Sequence, residues 1–206
     1  MAGRSIYLCT PDRPDLVTFV AACIAGGVDV VQLRDKHLGD DTLVRRAREL
    51  AGVCAGAGVP FIVNDRPDLA VESGADGVHL GQSDMDPAAA RSVVGSDAIV
   101  GRSTHEPNQL LRAMTELVDY VSVGPVEATP TKPGRSATGL DYVRHAAMAA
   151  RLPWFVTGGV DPTKIGELVA AGARRFVVVR WLTEASDPRE AAHQLRVAID
   201  EALVRP

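Results

Sequence analysis

Short apolar runs, most of them opened by Gly, Pro or an acidic residue, recur along the chain at 5–10, 29–34, 60–65, 77–81, 98–103, 119–124, 153–158 and 174–179. Their length and their Val and Ile content predict strands, and their lack of strict alternation suits strands covered on both faces. Between them, apolar residues spaced by three and four predict helices over 14–25, 41–55, 66–73, 86–94, 106–117, 139–151, 162–171 and 187–204. In 41–55, Leu43, Ala47, Leu50, Ala51 and Cys54 share a face, and Arg45, Arg46 and Arg48 fall mostly on the other. Asp161-Pro162 and Asp187-Pro188 each read as an N-cap followed by a first-turn proline. Gly26-Gly27, Gly56, Gly58, Gly74 and Gly172 sit where helices should stop.

Eight strand–helix units in series call for a parallel sheet with helices outside. The expectation is an α/β fold, a single-domain (β/α)8 TIM barrel spanning 1–206. An open doubly wound sheet is the alternative, but its usual Gly-rich first turn is missing: the first connection reads TPDRPD, without GxGxxG.

One strand departs from the apolar pattern. In VVQLRDK, Gln32, Arg34 and Lys36 lie two apart, so a strand sends all three to one side. In a barrel of this type the active site lies at the C-terminal strand ends, and polar or glycine-rich residues gather at that end of seven consecutive predicted strands. After Gln32, Arg34 and Lys36 come Asn64-Asp65, then Gln82 and Asp84, then Ser103, Thr104 and His105. The series continues with GPVEATPTKPG at 124–134, Gly158-Gly159, and Val179-Arg180.

Arg34, Lys36 and Lys132 supply cationic donors, and Gln32, Asn64 and Ser103 neutral ones, a set suited to a polyanion such as a diphosphate. Asp65 and Asp84 would repel that anion unless a cation lay between. Mg2+ is commonly held by one or two carboxylates together with substrate phosphates. Gly158-Gly159 and the end of strand eight suggest a second anion site built from backbone N–H groups. Each residue taken singly has a plainer reading: an interior ion pair of the cations with Asp65, loop caps for the two acids, a satisfied core histidine for His79, a helix cap for His105. Their coincidence at one rim is what favours a site.

Composition narrows the field further. A net charge of −4 argues against a general nucleic-acid binder, and 46% hydrophobic residues suffice for a large core. Cys9, Cys23 and Cys54 show no CxxC spacing and read as buried free thiols of a reducing compartment. With no signal-peptide pattern and no stretch approaching the ~20 apolar residues of a membrane span, the expectation is a soluble cytoplasmic protein without membrane partners. A homo-oligomer is compatible with the sequence but not demanded by it.

The phrases VQLRDK (31–36), VNDRPDLAVESGADGVHLGQSD (63–84), GRSTH (101–105), DYVSVGPVEATPTKPG (119–134) and TGGV (157–160) together resemble the thiamine-phosphate synthase family, in order and over nearly the whole chain. The resemblance implies a transferase that joins a hydroxymethylpyrimidine diphosphate to a thiazole phosphate and releases pyrophosphate, by a dissociative route. It implies that Gln32, Arg34, Lys36, Asn64, Ser103 and Lys132 hold the pyrimidine diphosphate, with Arg34, Lys36, Lys132 and Ser103 acting on the departing group. It gives Mg2+ to Asp65 and Asp84, and the thiazole phosphate to Thr129, Thr131, Gly159 and the 179–180 backbone. The chain departs from the family after the last strand, where a serine-containing phrase is replaced by Val179-Arg180-Trp181-Leu182. Two rival readings share the barrel: a thiazole tautomerase-like isomerase, which would want a poised histidine such as His105, and a non-catalytic thiazole-phosphate sensor.

Overall fold

The structure is a computed structural model, and it describes residues 1, 3–129, 134 and 136–204. Eight parallel strands close into a barrel in sequential order: β1 (Ile6–Thr10), β2 (Val30–Leu33), β3 (Phe61–Asn64), β4 (Gly77–Leu80), β5 (Ile99–Thr104), β6 (Tyr120–Val123), β7 (Trp154–Val156) and β8 (Phe176–Val178). The expected helices lie outside: α1 (Leu16–Ala25), α2 (Asp40–Ala57), α3 (Pro67–Ser73), α4 (Pro87–Val94), α5 (Pro107–Ala113), α6 (Gly139–Ala149), α7 (Pro162–Ala170) and α9 (Pro188–Val204). Pairing of β1 with β8 closes the ring, so the open-sheet alternative is set aside.

A short helix, α8 (Arg180–Thr183), was not expected. Strand eight therefore ends at Val178 rather than Arg180, and Val179 leaves the strand as the residue before this turn. No apolar period can announce a helix this short. The helix expected over 106–117 also stops early, at Ala113, and continues as turns.

Side-chain alternation sorts the buried apolar residues into two separate clusters. Ile6, Leu8, Val31, Leu33, Phe61, Val63, Val78 and Leu80 face outward and meet the helices. On α2 the residues that meet them are Leu43, Val44, Ala47, Leu50 and Cys54, the face its sequence period marks. The other cluster fills the barrel interior with Tyr7, Val30, Ile62, Tyr120 and Phe155, flanked by Ile99 and Val177.

The interior explains the odd strand. Two residues beyond each interior apolar residue, toward the C-terminal end, stands a mostly polar set: Cys9, Gln32, Asn64, Ser122, Thr157 and Val179. Two further on from Gln32 is Arg34, at the mouth. The polar side of VVQLRDK is thus the upper lining of the barrel, above an apolar floor. Gly101 faces Tyr120 across the β5–β6 pairing, and a Cβ there would run into the Tyr120 ring. The missing side chain is what lets that ring lie flat across the interior.

All three cysteines are free and buried, as their spacing implied. Among the described residues no helix is long and apolar enough to cross a membrane.

Gly101→Ala should destabilise the fold by about 1–3 kcal/mol through overpacking against the fully buried Tyr120. Urea denaturation measures this; an unchanged midpoint would show that the interior has slack at this level.

Candidate active site

A cavity of about 580 Å3 opens at the C-terminal end of the barrel. Of the sequence-predicted residues, Gln32, Arg34, Asn64, Thr129, Gly159, Val179 and Arg180 line it. They come from five different strand ends or following loops, and barrel closure alone brings them together. Thr131 and Lys132 lie outside the described residues. Gly158 and Gly159 both take positive φ, 96° and 76°, which glycine adopts without strain. Their backbone forms part of the wall, beside Thr157.

The acids and the lysine stand at the rim. Lys36 Nζ lies 2.9 Å from an Asp65 carboxylate oxygen. Asp84 reaches back to its own loop, where Gly81 N–H donates to its Oδ2 at 2.6 Å. The Asp65 and Asp84 carboxyls share a hydrogen bond with each other. Burial, then the Asp84 carboxyl, push Asp65 above the usual carboxylate range, against the pull of Lys36. Burial opposes ionisation of Asp84 too, but the hydrogen bonds from the Asp65 carboxyl and Gly81 N–H bring it below that range. The two carboxyls thus move in opposite directions, and Asp65 is the harder of the pair to ionise. Asp65 is also the one non-glycine residue with positive φ (65°) among the described residues. A half-exposed ion pair contributes only about 0–1 kcal/mol. The Lys36–Asp65 pair therefore does little for folding, although Asp65 is held in a left-handed backbone with a crowded carboxyl.

This donor set fits a magnesium ion. Two acids that crowd each other beside Lys36 are what a hard divalent cation would relieve, and oxygen donors are the ligands it takes. Among the described residues no group of three or more His, Cys, Asp or Glu gathers as a closed metal cage. Asp65 and Asp84 would supply two oxygens, and substrate and water the rest.

Ser103 is placed differently from its expectation. It is 3% exposed and does not itself line the cavity, but it bonds to His79 and Ser122, which do. His79 is the satisfied core histidine its apolar neighbours suggested, 7% exposed, with Nδ1 2.9 Å from Tyr120 Oη and Nε2 2.9 Å from Ser103 Oγ. It nonetheless borders the cavity. His105 is tied down: its backbone N–H donates to Gln109 Oε1 at 2.9 Å, and its ring Nδ1 lies 2.5 Å from the Gly124 carbonyl oxygen. Residues that the sequence reading missed are Tyr7, Cys9, Ser122 and Thr157, all on the cavity wall. The alternation that placed Gln32 and Arg34 could have found them, since each sits two residues beyond, or within, the interior apolar set. Glu127 was also missed; it reaches over Gly159, and Lys164 Nζ holds it at 2.6 Å.

The closed parallel barrel, the cationic and glycine-rich mouth and the paired acids define an enzyme of the phosphate-handling (β/α)8 class. The family model described as "Thiamine monophosphate synthase" matches residues 6–182. A thiamine-phosphate synthase of Mycolicibacterium smegmatis is 46% identical, covering 96% of this chain and 93% of the relative. One of Synechocystis is 44% identical over 93% of this chain, which spans 56% of that longer protein. The solved thiamine phosphate pyrophosphorylase of Pyrococcus furiosus superposes with a TM-score of 0.88 at 27% identity, covering 97% of this chain and 96% of that one. The chain belongs to the thiamine monophosphate synthase family, and it is a transferase with that family's activity. The isomerase and sensor readings fall away accordingly.

Asp84→Asn should lower the pKa of Asp65 toward the ordinary carboxylate range, because a neutral amide removes the competing acid and can donate to Asp65. A carboxyl-carbon NMR titration without added metal reads this directly; an unmoved or higher Asp65 pKa would mean that Asp84 does not raise Asp65.

Proposed function

We propose that the cavity takes a hydroxymethylpyrimidine diphosphate and a thiazole phosphate side by side, and that the rim charges draw pyrophosphate away. The observation that carries this reading is the Lys36–Asp65–Asp84 cluster at the edge of an Arg34-lined cavity, with positive and negative groups in contact at one opening. Such a mixture suits a site that takes an anion and a cation together. The reading also takes residues 1–206 as one catalytic domain working in the cytoplasm.

In this reading Gln32, Arg34, Lys36, Asn64, Ser103 and Lys132 hold the pyrimidine diphosphate. Arg34, Lys36 and Lys132 place positive charge where negative charge develops, on the oxygens of the departing pyrophosphate. Asp65 and Asp84 hold Mg2+, which when bound supplies further positive charge to those oxygens. Thr129, Thr131, Gly159, Val179 and Arg180 hold the thiazole phosphate, with Arg180 standing where the family carries a serine. The bond between the pyrimidine methylene carbon and the diphosphate oxygen breaks, and both electrons leave with pyrophosphate. The thiazole ring nitrogen then donates its lone pair to the methylene cation, forming the new C–N bond. Nothing in this sequence of events needs a nucleophilic side chain, and His105, engaged by the Gly124 carbonyl, is not poised as one. Holding both substrates at contact distance supplies the rest of the acceleration.

A pyrophosphate-release assay with both substrates tests the assignment. Release should require both substrates and Mg2+, and Asp65→Ala and Asp84→Ala should each lower turnover on the order of a hundredfold and flatten its magnesium dependence. Wild-type rates with the same metal requirement would refute the metal role. Lys132→Ala should impair use of the pyrimidine diphosphate more than binding of the thiazole phosphate; equal losses for both ligands would move Lys132 out of the diphosphate site.

A further inference from the structure

A line of hydrogen bonds crosses the barrel directly beneath the cavity. Cys9 Sγ lies 3.2 Å from Gln32 Oε1, and Gln32 Nε2 lies 2.7 Å from Tyr7 Oη. Tyr7 Oη is 2.8 Å from Tyr120 Oη, which is 2.9 Å from His79 Nδ1. His79 Nε2 is 2.9 Å from Ser103 Oγ, and Ser122 Oγ is 3.3 Å from the same Ser103 oxygen. Every member is buried. Phe155 packs edge-on against both tyrosine rings, at 86° to Tyr7 and 77° to Tyr120, which holds the phenols in register. Burial pushes both tyrosines above their ordinary pKa, so each keeps its proton.

The line has a direction. An amide nitrogen only donates, so the Tyr7 oxygen accepts from Gln32. The Tyr7 proton then goes to the Tyr120 oxygen, and the Tyr120 proton to His79 Nδ1. With Nδ1 accepting, neutral His79 carries its proton on Nε2 and donates it to Ser103 Oγ. The reverse order would set the Gln32 amide N–H against the Tyr7 O–H, two donors face to face in a buried place. Ser103 and Ser122 share one hydrogen bond but own two hydroxyl protons. Ser122 gives its proton to Ser103 Oγ, so Ser103 accepts from both His79 and Ser122, and its own O–H is the one left over, beside the cavity wall that those two residues form.

We propose that Tyr7, Tyr120 and His79 are positioning residues whose one-way hydrogen bonds make the Ser103–Ser122 pair present an O–H donor to the pyrimidine diphosphate. This rests on the reading of the cavity as the pyrimidine-diphosphate site. The device acts on substrate orientation through those hydroxyls: a reversed or mixed order would offer lone pairs to a ligand rich in acceptors.

Nitrogen-15 NMR of histidine-labelled wild-type protein should show His79 as a single Nε2–H tautomer; a proton on Nδ1 would overturn the proposal. Tyr120→Phe removes the donor but keeps the ring. It should leave far-UV circular dichroism unchanged, mix the His79 tautomers, and lower kcat/KM for the pyrimidine diphosphate about five- to tenfold, with KM for the thiazole phosphate unmoved. Tyr7→Phe, one step further along the line, should show the same pattern more weakly. In a Ser103→Ala, Ser122→Ala background, Tyr120→Phe should cost nothing more, since its effect runs through those hydroxyls. Penalties that multiply in that background would overturn the relay while leaving the cavity assignment standing. Wild-type turnover by the double serine variant would remove the cavity assignment itself, and this inference with it.

Discussion

The rest of the structure depends on one constraint: eight parallel strands closed on themselves leave no side chain without an assigned side. Alternate residues point to the helices or to the interior, and the interior is too narrow for anything but a packed column of side chains. The outward set is mostly apolar, because it is covered by α1–α7 and α9; where it turns polar, as at Thr104, a helix residue such as Tyr142 bonds to it. The inward set changes character with height. Tyr7, Val30, Ile62, Tyr120 and Phe155 plug the lower barrel, and the residues two further on turn polar as they reach open space. The same geometry that seals the floor places a polar layer on top of it.

A polar layer over an apolar plug has to satisfy itself or face water. Gln32, Tyr7, Tyr120, His79 and the two serines do so by bonding to one another. Higher up, Lys36, Asp65 and Asp84 satisfy one another only in part, since two carboxyls crowd beside one lysine. The deeper network is closed and rigid. The rim is left with charge to spare, and charge to spare at a mouth is what binding a phosphorylated substrate uses. Asp65 illustrates the difference: its backbone is held in a left-handed conformation although the ion pair it forms adds about 1 kcal/mol or less to stability. Arg196 is the contrast, bonding Ser5, Gly27 and Asp29 from α9 to lock the N-terminal end of the barrel, away from the mouth.

The strand and helix order, the barrel, the Asp161 cap and the buried face of α2 were all legible in the amino-acid sequence. So was the sidedness of Gln32 and Arg34. These are local properties: alternation and the 3.6-residue period follow from the chirality and spacing of neighbouring residues. A second group of features came only from tertiary structure. His79 and Ser103 are 24 residues apart, and Tyr7 and Tyr120 are 113 apart, so no spacing announces their contact. Sequence logic could call His79 a core histidine; only closure of the ring reveals which hydroxyls it meets and that it borders the cavity. The turn at Arg180–Thr183, too short for any period, replaces the last strand residues for the same reason: packing of Trp181, whose indole N–H donates to the Ala191 carbonyl, decides it. What the chain determines alone is the direction in which each side chain points; which partner it finds there is decided by the ring that brings distant strands to the same height.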